Sequence, residues 1–558
     1  MSFSYEDTRD SEHLRLLTPA IDAFIAASRK PPATASTCPR QTVFFFAGGL
    51  ATKLLRATEK FRAGVGKPQT FDYELVWVTE ETLTHGTARH LKMHRDPSGG
   101  FRDKGDRIIV ASGVIWSALY DGFIDWCANN NLDLFVFDWD WRRRLEDTGT
   151  FFVRTFLPFF RARVLAAGRP DPLATFSLIG HSFGGMIVNL ILRGNDPIVA
   201  NLARAVTVAT PFYGYAAQVH RWFEGDPLVN GDNDIFKEEV MEVVASLPAL
   251  YTLQYLDEAT YNDRAIQAGL ALDPEFPLTA YPSMDATTAT LRADAYNPKT
   301  DGRRVRYPAL TGFDRAELDY ARLQAQQLAA PMPESLAEKF FNIRGVRTQS
   351  DRVTPAGSTP GNVTWSLIPA SFDSTDPSPI VDGDRVPGDD TQPAWSARLA
   401  TNARARCITA RASDISHMVI MKHPRVLEAL GSILCAPGAA MSPPVPPLPE
   451  PASDEDLVAF MRWLHAQPRR KTPWPHFDDP ARRDLVPPEF REKLPAITLR
   501  IVMDLMKRPA PPGLSGRAGG GAPRTRRPGP NAASPRRRRE SPAPASRPPG
   551  DGGAPGDE

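Results

Sequence analysis

Short apolar runs, rich in aromatic or β-branched residues and bounded by Gly, Pro, Asn or Asp, recur at Val43–Phe46, Leu75–Val78, Ile108–Ala111, Leu134–Asp138, Phe176–Ile179 and Ala205–Val208. Each predicts a strand. Between several of them, at 118–128, 151–167 and 184–193, apolar positions fall at helical spacing. Strands alternating with helices predict an α/β fold, a mostly parallel sheet with helices on both faces. Over 212–337 the rhythm is lost in a segment rich in Tyr, Trp, Pro and Asp, which predicts an inserted cap or lid. Sheet-like runs return at Phe340–Arg344, Val363–Ile368 and Cys407–Ala410, followed by a helical pattern over Pro424–Leu434. The predicted organisation is therefore a leader (1–37, with a helix near 11–28), a first core segment (38–211), the cap (212–337) and a second core segment (338–436). A Pro-rich linker with a helical appendage (437–507) and a disordered tail (508–558) complete it. Within the appendage, Ser453 and Asp456 have the spacing of a capping box for a helix over 454–465, and 488–507 reads as a second helix.

Composition narrows the classes. A chain of 558 residues, 42% of them hydrophobic, can bury a large core, and a net charge of +1 supplies no global field for nucleic acid or an acidic partner. Arginine is concentrated at the end, including the Arg536–Arg539 run, amid Pro, Gly, Ala and Ser. Such a tail cannot bury enough apolar surface to offset its ordering entropy, and a solvated role is expected, with contact to an anionic membrane surface or to nucleic acid as the alternative. The first ten residues lack a basic start followed by an apolar core, and no apolar stretch is long enough to span a bilayer, which predicts a cytoplasmic location. In a reducing compartment Cys38, Cys127, Cys407 and Cys435, widely spaced and without a C-x-x-C pair, are expected as buried thiols.

The candidate chemistry begins at Gly180-His-Ser-Phe-Gly184, where a strand-like run meets a helix-compatible one. A sharp strand-to-helix turn can hold Ser182 with its hydroxyl exposed above the positive helix N-terminus. Gly180 and Gly184 would let strand and helix approach closely. The pentapeptide alone arises by chance in roughly one or two chains in ten of this length, so the serine's partners decide. A serine hydroxyl needs a base, and the base an acid to orient it. His417 lies between the last strand-like run and the last helical one, with His423 as a rival base, and the acid falls in the Gly383–Pro393 loop, which holds Asp384, Asp389 and Asp390.

Gly388-Asp389-Asp390-Thr391, with Pro393 and Ser396, resembles the G-D-[GD]-T-V-P-x-x-S loop of the lecithin:cholesterol acyltransferase-like family of α/β-hydrolases. Val43-Phe-Phe-Phe-Ala-Gly-Gly-Leu-Ala-Thr-Lys-Leu54 is similar to that family's oxyanion loop, Asp140-Trp141-Arg142 to its D-W-R, and His417–Pro424 to its catalytic His segment. Lys92–Val114, with Asp96-Pro-Ser-Gly-Gly, is similar to the stretch before its third sheet strand. Ala47, Ala51 and Gln392 stand where the family has Pro, Gly and Val, and the phase Gly383-Asp384 offers an alternative acid. The resemblance, over roughly 40–435, implies an α/β-hydrolase with Ser182 as nucleophile, His417 as base and Asp389 as acid. The backbone N–H groups of Leu50 and Phe183 would form the oxyanion hole. It implies a serine acyl-ester hydrolase or O-acyltransferase of the phospholipase A type, working through an acyl–Ser182 intermediate on a lipid or ester substrate, without cofactor. A soluble esterase or lipase of small or neutral esters, and a non-catalytic lipid- or protein-binding member, are the alternatives.

Other clusters read as structural. His90 and His94 would share one helical face, but neither they nor His85 have an acidic or Cys partner at ligand spacing, so no metal is expected. Gly48–Lys53 lacks the spacing of a phosphate-binding loop. Asp140-Trp141-Arg142 reads equally as a buried ion pair with a packing indole or as a lipid contact, and Phe212, Tyr213, Tyr215, Trp222 and Phe223 as an acyl-channel lining or a small core.

Overall fold

The computed structural model describes residues 4–28, 38–214 apart from 64–68, 78–86, 97–98, 115–116 and 195, then 242–253, 314–330 and 332–347. Beyond these it describes 369–372, 380–382, most of 388–399, 406–435, 453–466, 486–491, Lys493 and Ile497. Contacts divide the chain into Met1–Pro509 and Ala510–Glu558, and all described residues belong to the first unit.

Six strands form one parallel sheet: β1 (Gln41–Phe46), β7 (Leu132–Phe137), β8 (Phe176–His181), β9 (Leu202–Val208), β10 (Phe340–Arg347) and β13 (Cys407–Ala412). Their spatial order is β13-β10-β9-β8-β1-β7, with every neighbouring pair parallel. Because β1 and β8 are covered on both faces, they carry almost unbroken apolar runs, and all six residues of β8 are buried. The covering helices are α1 (Tyr5–Ala27), α2 (Ser117–Asn129), and α3 (Leu145–Phe151), which continues through a π turn into α4 (Leu157–Ala166). After them come α5 (Phe183–Arg193), α6 (Arg315–Ala329) and α7 (Pro424–Leu434). Phe44 on β1 meets Phe135, Phe152, Phe156, Phe160 and Phe176 at ring-centroid distances of 5.2–6.2 Å, locking sheet to helices.

Two of the predicted sheet strands lie elsewhere. Of the Leu75–Val78 run, residues 75–77 fall in β3 (Tyr73–Trp77), Val78 lying outside the described residues, and of Ile108–Ala111, residues 109–111 fall in β6 (Ile109–Val114). Both pair antiparallel with β2 (Thr52–Ala57) to make a separate three-stranded sheet. Local apolarity marks a strand but does not say which partner it takes. Short hairpins, β4 (Met93–Arg95) with β5 (Phe101–Asp103) and β11 (Pro369–Phe372) with β12 (Ile380–Asp382), complete the strands. The Val363–Ile368 run lies outside the described residues.

Helix α1 starts earlier than expected, at a capping box in which Ser4 Oγ accepts from Asp7 N–H. It buries Leu17 and Ile21 completely, so these residues pack as part of the core. The cysteine expectation needs correcting, because Cys38 and Cys435 form a disulfide. Cys38 precedes β1 and Cys435 follows α7, and the fold sets these two places side by side, with Gln41 Nε2 donating to Leu434 O at 3.0 Å. Distance along the chain conceals that proximity.

In the appendage, Asp456 N–H donates to Ser453 Oγ at 3.1 Å at the start of α8 (Asp454–Ala466), and a helical turn spans Pro488–Arg491. Among the described residues no helix is long and apolar enough to cross a membrane.

Candidate active site

The carboxyl ends of β1, β8, β10 and β13 converge, and each contributes one loop. After β8 the chain reverses at Ser182, whose φ of 52° and ψ of −124° lie outside the ordinary regions for a residue with a side chain. Ser182 N–H donates to Val208 O at 2.8 Å, and α5 begins at the next residue. The elbow is tight enough to require glycine. A Cβ on Gly180 would stand 2.5 Å from Gly185 Cα, and one on Gly184 would strike the backbone of Phe46 and Ala47. Gly180 thus permits the approach of strand and helix, while Gly184 permits the approach of α5 to the end of β1.

The chain has the α/β-hydrolase fold. A parallel sheet in this order, with a strained serine between a strand and a buried helix, decides it. No family model matches the sequence, and no curated protein matches it. Solved structures similar to the chain include the Tle4-Tli4 complex, with a TM-score of 0.36 and 13% identity over 71% of this chain and 98% of that one. The Bacillus licheniformis lipase BlEst2 has a TM-score of 0.30 and 10% identity, covering 73% of this chain and 96% of its own. EstA from Clostridium botulinum has a TM-score of 0.28 and 13% identity, covering 76% and 98%. At such scores the fold assignment stands on the topology and the elbow.

Within this fold, Ser182 Oγ lies 2.8 Å from His417 Nε2, and His417 Nδ1 lies 2.9 Å from Asp389 Oδ2. His417 and Asp389 are each 1% exposed, whereas Ser182 is half-buried and open to a cleft. Asp389 sits beside the end of β10, where Arg347 N–H donates to Gly388 O at 2.8 Å. Its other oxygen, Oδ1, accepts from the N–H groups of Gln392 (2.7 Å) and Thr391 (3.3 Å), so both oxygens are engaged. Gly345 on β10 makes room, because a Cβ there would stand 2.9 Å from Asp389 Cβ. His417 opens a short 3₁₀ turn, and its N–H donates to Asp389 O at 2.8 Å. The rival base His423 pairs with Asp414 at 3.2 Å instead, and Asp384 and Asp390 lie outside the described residues.

The loop after β1 crosses directly over the elbow. A Cβ on Gly48 would stand 3.4 Å from Ser182 Cβ, and one on Gly49 3.0 Å from the Phe183 ring. Leu50 has a φ of 65°, a conformation a branched residue holds only when its surroundings fix it. Three indoles do so. Trp139 Nε1 donates to Ala47 O (3.0 Å), Trp77 Nε1 to Leu50 O (2.8 Å) and Trp141 Nε1 to Thr52 O (3.3 Å). The sequence reading found the loop but not these clamps; Trp77 and Trp139 offered no signal beyond their apolar setting. Phe183, as the first residue of α5, carries an N–H that the helix leaves without an intrahelical acceptor.

The cleft beside Ser182 encloses about 470 Å³, its open mouth included. Leu50, Trp141, Phe183, Pro211, Leu250 and Leu253 give it apolar walls, and Gly49, Thr391 and Gln392 line the remainder. The Asp140-Trp141-Arg142 triplet divides its work. Trp141 faces this cleft, while Arg142, fully buried, pairs with Asp140 at 2.6 Å and Asp103 at 2.8 Å. Phe212 and Tyr213 are buried, their N–H groups bonded to Ser396 O and Oγ, whereas Tyr215, Trp222 and Phe223 lie outside the described residues. His90 and His94 occupy a 3₁₀ turn and strand β4 rather than one helical face, His90 contacting Arg56, and His85 lies outside the described residues.

Proposed function

We propose that the protein is a serine-dependent acyl-ester hydrolase or O-acyltransferase acting on a lipid, through an acyl–Ser182 intermediate. The Ser182–His417–Asp389 contacts of 2.8 and 2.9 Å at the mouth of an apolar cleft carry this reading. His417 Nε2 takes the hydroxyl proton as Ser182 Oγ attacks the ester carbonyl, and Asp389 holds the imidazole with its remaining proton on Nδ1. The N–H groups of Leu50 and Phe183 receive the negative charge that develops on the carbonyl oxygen. The tetrahedral intermediate then collapses. Its C–O bond to the leaving alcohol breaks, the alcohol departs with the proton from His417, and the acyl group remains on Ser182. Water or a second alcohol, deprotonated by His417, attacks the acyl-enzyme and releases a free acid or a new ester.

The cleft's walls favour an acyl chain as the group held beside Ser182, and the stretches similar to the lecithin:cholesterol acyltransferase-like family support the same substrate class. A fluorophosphonate probe should label the protein and fail to label Ser182→Ala. Equal labelling of both would overturn the assignment of the nucleophile. Incubation with phospholipid, with and without a sterol, then separates the two outcomes, free fatty acid marking hydrolysis and sterol ester marking transfer.

A further inference from the structure

Behind the elbow, two buried side chains that take no part in the proposed proton transfer are joined to it by directional hydrogen bonds. Gly48 N–H donates to Tyr120 Oη at 3.1 Å, Tyr120 Oη lies 2.9 Å from His181 Nδ1, and His181 Nε2 lies 3.1 Å from His417 O. Tyr120 and His181 are 1% and 3% exposed, so no bulk water competes for these groups.

The donors can be assigned without ambiguity. A backbone N–H only donates, so Gly48 uses Tyr120 as acceptor and leaves the phenolic proton for His181. A carbonyl only accepts, so His181 must carry its proton on Nε2 and accept at Nδ1. This is the neutral imidazole. Burial, and then the neighbouring His417, hold its pKa well below the ordinary histidine value. A protonated His181 would leave the phenolic O–H without its acceptor and set a cation 4.9 Å, ring to ring, from the imidazole that takes the Ser182 proton in the proposed reaction.

The three segments so joined are the loop of the proposed oxyanion donor, the residue before Ser182, and the main chain of His417. We propose that Tyr120 and His181 are positioning residues, a buried hydrogen-bond chain that sets His417 and the Gly48–Leu50 loop in register with Ser182. The inference rests on the reading of Ser182, His417 and Asp389 as the reacting groups. Proton transfer depends on sub-ångström alignment, and a 1 Å displacement costs up to about a hundredfold in rate.

The test uses the full chain and a soluble p-nitrophenyl ester. Tyr120→Phe and His181→Phe should each lower kcat by about tenfold or more with KM within about twofold. Because they break one chain, the double variant should be no slower than the slower single variant. His181→Gln, whose amide can still donate to His417 O, should recover most of the loss. Losses that multiply in the double variant, or a kcat within about twofold of wild type in both singles, would overturn the proposal. Thermal melting checks each variant for folding; should Tyr120→Phe fail to fold, equal kcat in His181→Gln and His181→Phe would overturn it. A readout free of turnover is the imidazole nitrogen-15 shift of His181 in the wild type near neutral pH. The Nε2–H tautomer is expected, and the Nδ1–H tautomer would overturn the chain of bonds. A wild type that shows this tautomer yet resists the fluorophosphonate probe would instead sink the catalytic reading of Ser182.

Discussion

Asp389 and Asp138 show how surroundings give one side-chain type two roles. Asp389 has both oxygens engaged, one by His417 and the other by backbone N–H groups, which fixes its orientation. Asp389→Asn keeps the shape but presents the wrong partner to Nδ1, and kcat toward a soluble ester should fall by about 10⁴-fold. Asp138, at the end of β7, has a single short bond from Gly113 N–H at 2.5 Å. Burial raises its pKa from 3.8 to about 6, against the pull of Gly113 and Lys53. Between pH 4 and 6 the folded protein therefore keeps a proton that the unfolded chain has released, so this group's contribution declines as pH rises. Relative to Asp138→Asn, the wild type should lose up to about 3 kcal/mol of stability across that window, read from urea midpoints. Buried His13 works in the opposite sense. Burial and Arg9 lower its pKa to about 4, so its contribution is lost as pH falls below 6.5. Only the difference between wild type and variant isolates Asp138.

At the scale of elements, the elbow is a packing problem solved by missing side chains. β8 and α5 meet backbone to backbone at Gly180, and α5 meets β1 at Gly184. Gly180→Ala forces a methyl against main chain that cannot rotate away. It should cost about 1–3 kcal/mol in urea denaturation and slow fluorophosphonate labelling, since α5 and Ser182 must move together. Arg142 is the corresponding device on the other side of the site. Besides Asp140 and Asp103 it bonds Leu91 O at 3.1 Å, and Tyr5 Oη bonds Asp103 at 2.6 Å, tying α1 and the β4–β5 hairpin to the Asp140–Trp141 turn. Removing one partner of a buried ion pair strands the others, so Arg142→Met should cost about 3–5 kcal/mol.

For the whole molecule, the Cys38–Cys435 bond closes the core across a sequence separation of 397. In the chain-entropy account a crosslink this long stabilises the folded state by about 6 kcal/mol. Cys435→Ser should lower the guanidinium midpoint accordingly, and alkylation of the denatured, unreduced protein should reach Cys127 and Cys407 alone. The strands of the parallel sheet were legible because each is a short, apolar, β-branched or aromatic run between turn residues, and the elbow because it needs glycine at fixed offsets from the serine. Those are properties of neighbours along the chain, and the order of the elements placed His417 and the Gly383–Pro393 loop as candidates for base and acid. The antiparallel pairing of β2 with β3 and β6, the indole clamps on the Ala47–Thr52 loop, the Tyr120–His181 bonds and the disulfide join residues far apart in sequence. Each exists because folding sets two distant segments within a few ångströms, and no local pattern encodes that distance. The sequence alone therefore determined the fold class and named the candidate residues, whereas the tertiary structure decided which groups stand against them.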